Sequence, residues 1–435
     1  MPHSPRSLQL AATAGLALLL AGGCAPSAPA DPVGEIARDY LLLELGVGLH
    51  DPDHVDAFFG PAEFEREAQA AGRSLTELDE LAAALADRIA ALPPARDAAD
   101  TARRRNLAAR IEATRARIAL NRGEAMPFDV ESLRIFGVTS PQLDENHFKR
   151  ILADVEALVP GEGSLPARVA AFRDRYLVPP EKLAAVMDAA IAECRRRTLD
   201  HIQLPQQESF RLEFVTDKPW SGYNWYEGRA HSLIQINTDL PIHIHRAVDL
   251  GCHEGYPGHH TFSTLREREL VEERGWIEYS LYPLFSPESL IAEGSGNYGI
   301  MLAFPGSERL EFERRELFPL AGIDGAGAET YYRLLELLER LDYAGNEAAR
   351  AWLDGRLTRD EAVAWLVNYT LATPERARQR LAFFEAYRSY GLNYNLGRDL
   401  VRRHIERGAP DAAERWRRFE ALLAAPVLPA ELAAE

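Results

Sequence analysis

The chain has 435 residues, of which 46% are hydrophobic and 26% are charged, an ordinary balance for one large globular domain or two modest ones. Its formal net charge of −17 argues against a nucleic-acid-binding protein, because phosphate contacts need clustered Lys and Arg side chains. The simplest consequence of such a charge is high solubility.

The N-terminus carries the features of a targeting segment. Arg6 supplies a basic start, the apolar stretch LQLAATAGLALLLAGG follows, and Cys24 comes directly after small residues. The stretch is short for a membrane span and typical of a secretory signal. The residues before Cys24 resemble the lipobox of bacterial lipoproteins, although Ala21 replaces its usual Leu. We therefore expect a signal peptide over residues 1–23, a lipid anchor at Cys24 in the bacterial cell envelope, and a flexible tether over residues 24–33. An ordinary cleaved signal with an incidental Cys is the alternative.

Helical patterns dominate the remainder, and their starts are marked by residues that cap helices or favour the first helical turn. These start signals are the capping-box pairs Ser74–Glu77 and Thr358–Glu361 and the prolines Pro180 and Pro374. The patterns predict a mainly α fold in a single domain over residues 34–435.

One region departs from the helical pattern. Between about 208 and 240 the chain is rich in aromatic and β-branched residues and is broken by Gly and Pro, which favours a few short strands. The segment SLIQINTD, residues 232–239, is the clearest predicted strand, and a new helix is expected to begin near His243. The fold is thus predicted to place a small β-sheet beside that helix.

A cluster of histidines singles out the segment that follows. Five of the twelve histidines lie there: His243, His245, His253, His259 and His260. Residues 253–260 read HEGYPGHH and begin like the zinc-hydrolase motif H-E-x-x-H, in which two histidines one turn apart bind the metal and the Glu activates water. The second histidine of that motif is missing, because Pro257 stands four residues after His253.

Helix geometry restricts which later histidine can replace it. In a regular helix residue 259 would lie about 240° around from His253, whereas residue 260 would share its face but lie about 10 Å further along the axis. Pro257 removes a backbone donor and Gly258 permits a kink, so a regular helix is disfavoured. An expansion by two residues would bring His259 to the ligand position. We therefore favour His259 as the second ligand, with His260 in a supporting position or as the alternative ligand.

The third ligand is expected from a following helix. Glu293 lies in SLIAEGSGNYG, where Gly294 and Gly296 would allow one helix to pack closely on another. Two His and one Glu would leave a fourth position for water, which is typical of a catalytic rather than a structural site for one Zn²⁺ ion. Glu254 would then be the general base.

The octapeptide, followed by a Glu-Gly motif, resembles the bacterial family catalogued as domain of unknown function 885. The segment LHDPDHVDAFFGP (49–61) looks like the early part of that family, and YNLG (394–397) looks like its closing Tyr-x-x-Gly motif. The family usually continues its Glu-Gly motif with Trp-Ala, whereas this chain has Ser295 and Gly296. The difference concerns the shape of the pocket, and therefore the substrate, more than it concerns the metal.

The resemblance implies a gluzincin-like helical fold, similar to those of helical oligopeptidases and thermostable carboxypeptidases, and a zinc-dependent peptidase activity. It also implies that Tyr394 is catalytic, with a hydroxyl that stabilises the oxyanion of a tetrahedral intermediate. The strand SLIQINTD would be the sheet edge to which a peptide substrate adds.

Two other functions are compatible with the same residues. The chain could be a surface lipoprotein that binds metal or peptide without hydrolysis, as the interrupted motif suggests. It could also be a zinc hydrolase of amides or esters other than peptides. The oligomeric state is left open.

Three further pairs of side chains have structural roles in our interpretation. They are His243 with His245, Arg388 with Arg398, and Cys194 with Cys252. For the two arginines, binding of a substrate carboxylate is the alternative role. Whether the cysteines form a disulfide is left open, and Cys252 would point about 100° away from His253 on a helix, so it is not counted as a ligand.

Overall fold

The computed structural model describes residues 31–434. The predicted signal peptide 1–23, the anchor Cys24 and most of the tether therefore lie outside the described residues. The first helix begins at Pro32, one residue before the predicted end of the tether.

Helices make up 66% of the structure, which confirms the mainly α fold. The α-helices among the described residues are α1 (Pro32–Gly48), α2 (Glu63–Ala71), α3 (Leu75–Ala90), α4 (Ala98–Asn121), α5 (Phe128–Phe136), α6 (Glu145–Leu158), α7 (Leu165–Arg173), α8 (Leu183–Leu199), α9 (His245–Leu250), α10 (His259–Arg266), α11 (Pro287–Ala303), α12 (Glu308–Phe312), α13 (Phe318–Ala321), α14 (Ala328–Arg340), α15 (Tyr343–Leu353), α16 (Arg359–Thr370), α17 (Pro374–Tyr387), α18 (Leu392–Glu406), α19 (Ala412–Leu423) and α20 (Pro429–Ala433).

In the described part of the chain, shorter helical segments connect some of these helices. Three have π geometry: Gly251–Gly255, Glu267–Glu272 and Glu313–Leu317. Four have 3₁₀ geometry: Asp174–Tyr176, Pro180–Lys182, Ile277–Ser280 and Arg388–Gly391.

The predicted helix starts depend on local capping, and the structure contains them. Ser74 and Thr358 each accept a hydrogen bond from the backbone N–H three residues on, and the glutamate at that position bonds back to the cap. Pro374 opens α17. The helix predicted at Pro180 begins as a 3₁₀ turn and becomes α8 at Leu183.

Within residues 31–434, five short strands form two small sheets. In the first, β1 (Val55–Phe58) pairs antiparallel with β5 (Leu281–Pro283). In the second, β4 (His231–Asn237) lies between β2 (Ser209–Val215), to which it is parallel, and β3 (Gly222–Gly228), to which it is antiparallel.

The second sheet corrects one prediction. SLIQINTD is largely β4, which is paired on both sides, so the expectation that it forms a free sheet edge is wrong. The pairing of β4 on both sides depends on β2 and β3, which are other segments of the chain. The pattern of apolar and polar residues within β4 does not show how many strands pair with it. The edge beside the histidine segment is β3, whose Asn224 side-chain amide donates to the backbone carbonyl of Glu254 (2.7 Å).

Helix α11 runs through the middle of the main hydrophobic core, and all its residues except Asn297 and Met301 are buried. Helix α18 packs along it so closely that a Cβ atom on Gly294 would lie 2.4 Å from the carbonyl carbon of Gly397. The glycines of the Glu-Gly and Tyr-x-x-Gly motifs thus meet at one helix crossing, and neither position has room for a side chain.

The two cysteines whose pairing was left open form a disulfide. Cys194 on α8 and Cys252 in the π segment Gly251–Gly255 have Cα atoms 5.4 Å apart. The bond ties the residue next to His253 to a neighbouring helix. Cys252 is therefore not a metal ligand, as predicted.

Within residues 31–434, no helix combines the length and the apolar character needed to cross a membrane.

Candidate metal centre

The histidine segment is an interrupted helix. Helix α9 begins at His245, two residues after the predicted start, and widens into the π segment Gly251–Gly255. The chain then leaves helical geometry over residues 256–258 and re-enters it in α10, whose first residue is His259. The helix is thus expanded where Pro257 and Gly258 predicted an irregularity.

Gly258 is required for this path. Its backbone N–H donates to the carbonyl of Cys252 (2.9 Å), and a Cβ atom at this position would lie 1.8 Å from the carbonyl oxygen of His253. No side chain fits there, so the close return of the chain onto the π segment needs glycine.

The result is a three-residue cluster of potential metal ligands. His253 Nε2 lies 3.1 Å from His259 Nε2 and 3.0 Å from Glu293 Oε2, and His259 Nε2 lies 3.7 Å from the same carboxylate oxygen. Tetrahedral zinc with bonds of 2.0–2.1 Å separates its ligand atoms by about 3.3 Å. The three predicted ligands therefore have the spacing that one such ion needs.

Two features of this cluster favour a cation over simple packing. Glu293 Oε2 is buried and faces the Nε2 atoms of His253 (3.0 Å) and His259 (3.7 Å), so its negative charge needs a bound cation or a protonated imidazole beside it. The Nε2 atoms of the two imidazoles also face each other across 3.1 Å, which is the arrangement expected when they share either one proton or one metal ion. The donor set thus fits a divalent ion.

Helix α11 sets the orientation of His253. Asn297 donates through Nδ2 to the carbonyl of Tyr394 (2.9 Å), so its Oδ1 faces His253 and accepts from the ring Nδ1–H at 3.1 Å. This bond leaves the lone pair on Nε2, toward the cluster. A Cβ on Gly296 would lie 2.8 Å from that Nδ1. Residues 293, 296 and 297, which share one helix face, thus form a wall around the imidazole.

Glu293 is oriented by a tyrosine that the sequence analysis missed. Tyr390 donates its hydroxyl to Glu293 Oε1 (2.8 Å), which leaves Oε2 turned toward the histidines. Tyr394 lies one helical turn further along, and its ring is nearly parallel to that of His253 with centroids 6.1 Å apart. The spacing of four residues between Tyr390 and Tyr394 was a readable signal that both face the same site.

The charges of the cluster depend on one another. Burial alone would lower the pKa of His259, but the carboxylate of Glu293 outweighs it and raises that pKa to about 9. Burial alone would raise the pKa of Glu293, but the charge of His259 and the hydrogen bond with His253 hold that pKa far below its usual range.

Glu254 lies beside the cluster and is buried. Burial raises the pKa of its carboxyl group, the neighbouring Glu293 raises it further, and the two histidines act in the opposite sense. Gly222 on β3 makes room for it, since a Cβ there would lie 2.7 Å from Glu254 Oε1. A carboxylate with a raised pKa beside a potential metal site has the properties of a general base.

His260 points away from the cluster. Its Nδ1 is 2.8 Å from Ser232 Oγ, and its Nε2 is 3.2 Å from Glu208 Oε2. It is fully buried and connects α10 to the second sheet, a supporting position rather than a ligand position. Of the histidine pair, the structure brings only His259 to the cluster.

Asp56 on β1 is a further acidic group near the centre, and it belongs to the segment 49–61. Burial raises its pKa to about 7, Glu293 and Glu254 add to the effect, and the hydrogen bond from Tyr223 and the charge of His259 oppose it. The sequence analysis did not single it out, because nothing local to β1 shows which distant groups it faces.

The remaining polar candidates lie away from the cluster. Arg388 binds Glu131 (2.7 Å), and Arg398 binds Glu339 and Asp399, so both arginines form ion pairs. His243 and His245 are buried near the start of α9 and belong to no ligand group that the structure forms among its described residues.

No protein-family model matches the sequence, and no curated protein matches it at the level of sequence. The resemblance to the domain-of-unknown-function-885 family thus stays a prediction from its motifs. Among solved structures, a candidate lipoprotein from Colwellia psychrerythraea is similar, with a TM-score of 0.51, 15% identity, and coverage of 82% of this chain and 65% of that one. The chain thus spans less than two thirds of that protein. The likeness shows a shared fold.

Two carboxypeptidases are also similar, at lower TM-scores. Metallocarboxypeptidase 1 of Trypanosoma cruzi has a TM-score of 0.42 and 12% identity, with coverage of 92% of this chain and 93% of that one. A carboxypeptidase from Deinococcus radiodurans has a TM-score of 0.37 and 14% identity, with the same coverage. Likenesses of this extent do not identify a shared activity.

Proposed function

We propose that this protein is a zinc-dependent hydrolase of the bacterial cell envelope that cleaves peptide bonds. The observation that carries the proposal is the spacing of His253, His259 and Glu293, with Glu254 beside them. The lipobox resemblance supports anchoring at Cys24, and so does the fold shared with a candidate lipoprotein.

His253, His259 and Glu293 would hold the ion. When bound, zinc supplies a Lewis acid that polarises a substrate carbonyl and makes water a stronger acid. Glu254 accepts a proton from the attacking water, for which its raised pKa suits it, and passes that proton to the leaving amine. Asn297 and Tyr390 keep the ligand atoms directed at the ion.

The peptide as substrate is supported by the position of β3. This edge strand is joined to the base through the hydrogen bond from Asn224 to the carbonyl of Glu254. An extended peptide that adds to a sheet edge gains main-chain hydrogen bonds. On β3, such a peptide would lie alongside Glu254, so β3 takes the place that we had assigned to SLIQINTD.

The test of the function is a digest of mixed peptides by the soluble zinc-loaded protein and by its Glu254→Gln variant, with zinc content measured for both. Loss of a general base should lower turnover by about 10²–10⁴-fold while the variant keeps its zinc. Equal digestion by the two proteins would refute the mechanism. Zinc binding without hydrolysis of peptides would favour the binding lipoprotein or the hydrolase of other amides or esters, and ester substrates would then separate these two.

Tyr394 is proposed to stabilise the oxyanion, because it lies beside the ring of His253. Tyr394→Phe removes one hydroxyl and should lower kcat by about 10²–10³-fold with little change in zinc content. Tyr369→Phe, which removes a hydroxyl bonded to Glu145 on the surface, is the control. Unchanged turnover in Tyr394→Phe would remove this residue from the mechanism.

A further inference from the structure

A second group of charged side chains lies near the start of α9. Arg246 on α9, Arg376 on α17, Arg173 at the end of α7 and His243 just before α9 face one another, and we call them the cation pocket. Arg246 and Arg376 line a cavity of about 30 Å³. Its other walls come from Ser221, Asn237, Leu240, Ile242, Leu250 and Gln379.

The arginines of this pocket are poorly compensated by carboxylates. Arg376 donates to the backbone carbonyl of Pro241 (2.8 Å) and forms no ion pair with any residue from 31 to 434. Arg173 Nε and His243 Nε2 are buried without a hydrogen-bond partner in that same range. Burial and the neighbouring Arg246 and Arg173 lower the pKa of Arg376 to about 10. Such an arrangement lowers the stability of the fold unless an anionic group binds in the pocket.

Two carboxylates lie nearby, and neither serves Arg376. Asp249 binds Arg246 (3.2 Å) but is shared with Arg309, to which it is closer (2.7 Å). Asp174 is largely exposed, and its Oδ1 is 3.9 Å from His243 Nε2. The cavity between Arg246 and Arg376 therefore keeps a positive potential.

The pocket lies next to the general base. Arg246, Leu250 and Glu254 follow one another at helical spacing along α9 and the π segment. A Cβ on Gly222 would lie 2.9 Å from Cδ2 of Leu250, which lines the cavity, and 2.7 Å from Glu254 Oε1, so Gly222 lies against both the pocket and the base. The Cα atoms of Arg246 and Glu254 are about 12 Å apart along the helix. The arginine side chain spans part of this distance, and one or two extended substrate residues, at about 3.5 Å each, span the remainder.

We propose that the cation pocket binds the free C-terminal carboxylate of a peptide substrate, so that cleavage removes residues from that end. This inference rests on the proposed function. A cavity of about 30 Å³ is far too small for a whole ligand and suits one small group. Guanidinium groups bind carboxylates in a bidentate way. At the metal centre the substrate meets the carboxyl groups of Asp56, Glu254 and Glu293, which repel an anionic terminus. The carboxylate of the substrate is therefore favoured in the cation pocket and not at the metal centre.

The experiment uses zinc-loaded Glu254→Gln protein, immobilised and exposed to an equimolar mixture of two hexapeptide libraries. One library has free C-termini and the other has amidated C-termini with an isotope label, and mass spectrometry measures the ratio retained. We expect the free acids to be enriched at least tenfold, as charge-assisted hydrogen bonds predict. Equal retention of both libraries, or retention of neither, would overturn the proposal.

Variants locate the effect in the pocket. Adding Arg376→Gln should abolish the preference for free acids, and its melting temperature should be unchanged or higher because a repulsive charge is lost. Arg378→Gln, two residues along α17 and exposed in an ion pair with Glu375, is the matched control and should keep the preference. A preference that survives Arg376→Gln would refute the assignment.

If the proposed function is wrong, the experiment gives a different result from the one expected when only the cation pocket is misassigned. Zinc-loaded protein with an intact Glu254 would then cleave neither library, while the binding preference and its loss in Arg376→Gln would persist. The site would in that case bind peptide termini without hydrolysis.

Discussion

Helix α11 and its neighbours bury charges in a very different way from the cation pocket. Around the first turns of α11, Arg103 binds Glu278 through two hydrogen bonds (2.6 and 2.9 Å), and Arg266 Nε lies 3.0 Å from Glu288. Arg110 fills the space between them and donates to the carbonyl of Leu281 (2.7 Å). In this structural network arginines and carboxylates alternate, whereas in the cation pocket arginines face arginines.

The difference separates charges that hold the fold together from charges directed at a ligand. In the structural network, each buried charge has an opposite charge from the chain itself as its neighbour. In the metal centre the neighbours of Glu293 Oε2 are two histidines, which carry a positive charge only when protonated, and in the cation pocket Arg376 lacks a carboxylate among the described residues. Substitutions should therefore lower stability in the network and lower binding in the other two sites.

The largest expected effect is on folding and comes from Glu278→Gln. Arg103, which is 3% exposed, would lose the carboxylate that binds it through two hydrogen bonds and keep only the exposed Asp31 at 3.7 Å, and breaking a buried pair costs about 3–5 kcal/mol. The free energy of unfolding in urea measures the loss. Glu336→Gln, which removes a carboxylate from the exposed pair with Arg333 on α14, is the control and should leave that free energy almost unchanged. If the two variants are equally stable, the network does not have the role that we assign to it.

A smaller effect is expected on metal binding from Asn297→Ala. The substitution removes the acceptor that orients His253, and loss of such a partner typically costs 10–100-fold in metal affinity. Competition with a chromophoric zinc chelator measures the affinity, and the melting temperature of the metal-free protein should change little. Asn297→Asp keeps an acceptor for the ring N–H and should restore most of the affinity. An unchanged affinity in the Ala variant would show that α11 does not set the orientation of this ligand.

The smallest expected effect is the release of about one proton when zinc binds at pH 7.5. The pKa of His259 is raised to about 9 beside Glu293, so this imidazole is protonated at neutral pH, and only its neutral form can bind zinc. The apparent affinity should therefore rise with pH until about pH 9. Calorimetry in buffers of different ionisation enthalpy counts the protons. A binding enthalpy that does not depend on the buffer would contradict the assignment.

The structural elements that follow from neighbouring residues were predictable. The capping boxes at Ser74 and Thr358 act over three residues, and the irregularity at Pro257 and Gly258 follows from the missing donor and the missing side chain. In a regular helix His259 would point away from His253. The predicted break at Pro257 and Gly258 was therefore the feature of the sequence from which His259 could be inferred as a ligand.

Other groups depend on contacts between distant parts of the chain and were not predictable. Tyr390 reaches Glu293 from the 3₁₀ segment Arg388–Gly391, and Asp56 lies on β1, some 200 residues before His253. Strand β4 lies in the centre of its sheet because β2 joins it from the far side. The disulfide between Cys194 and Cys252 requires α8 to pack on the π segment.

By itself, the sequence determined the helical class, the helix starts, and the residue types that can hold a metal, because capping, periodicity and ligand chemistry act locally. Only the tertiary structure decided which of those side chains face one another. Helix packing brings Glu293 to the two histidines and leaves Arg246 and Arg376 around one cavity without a shared carboxylate. The physical reason is that the energy of a buried charge depends on every group around it in space, and most of those groups are far away along the chain.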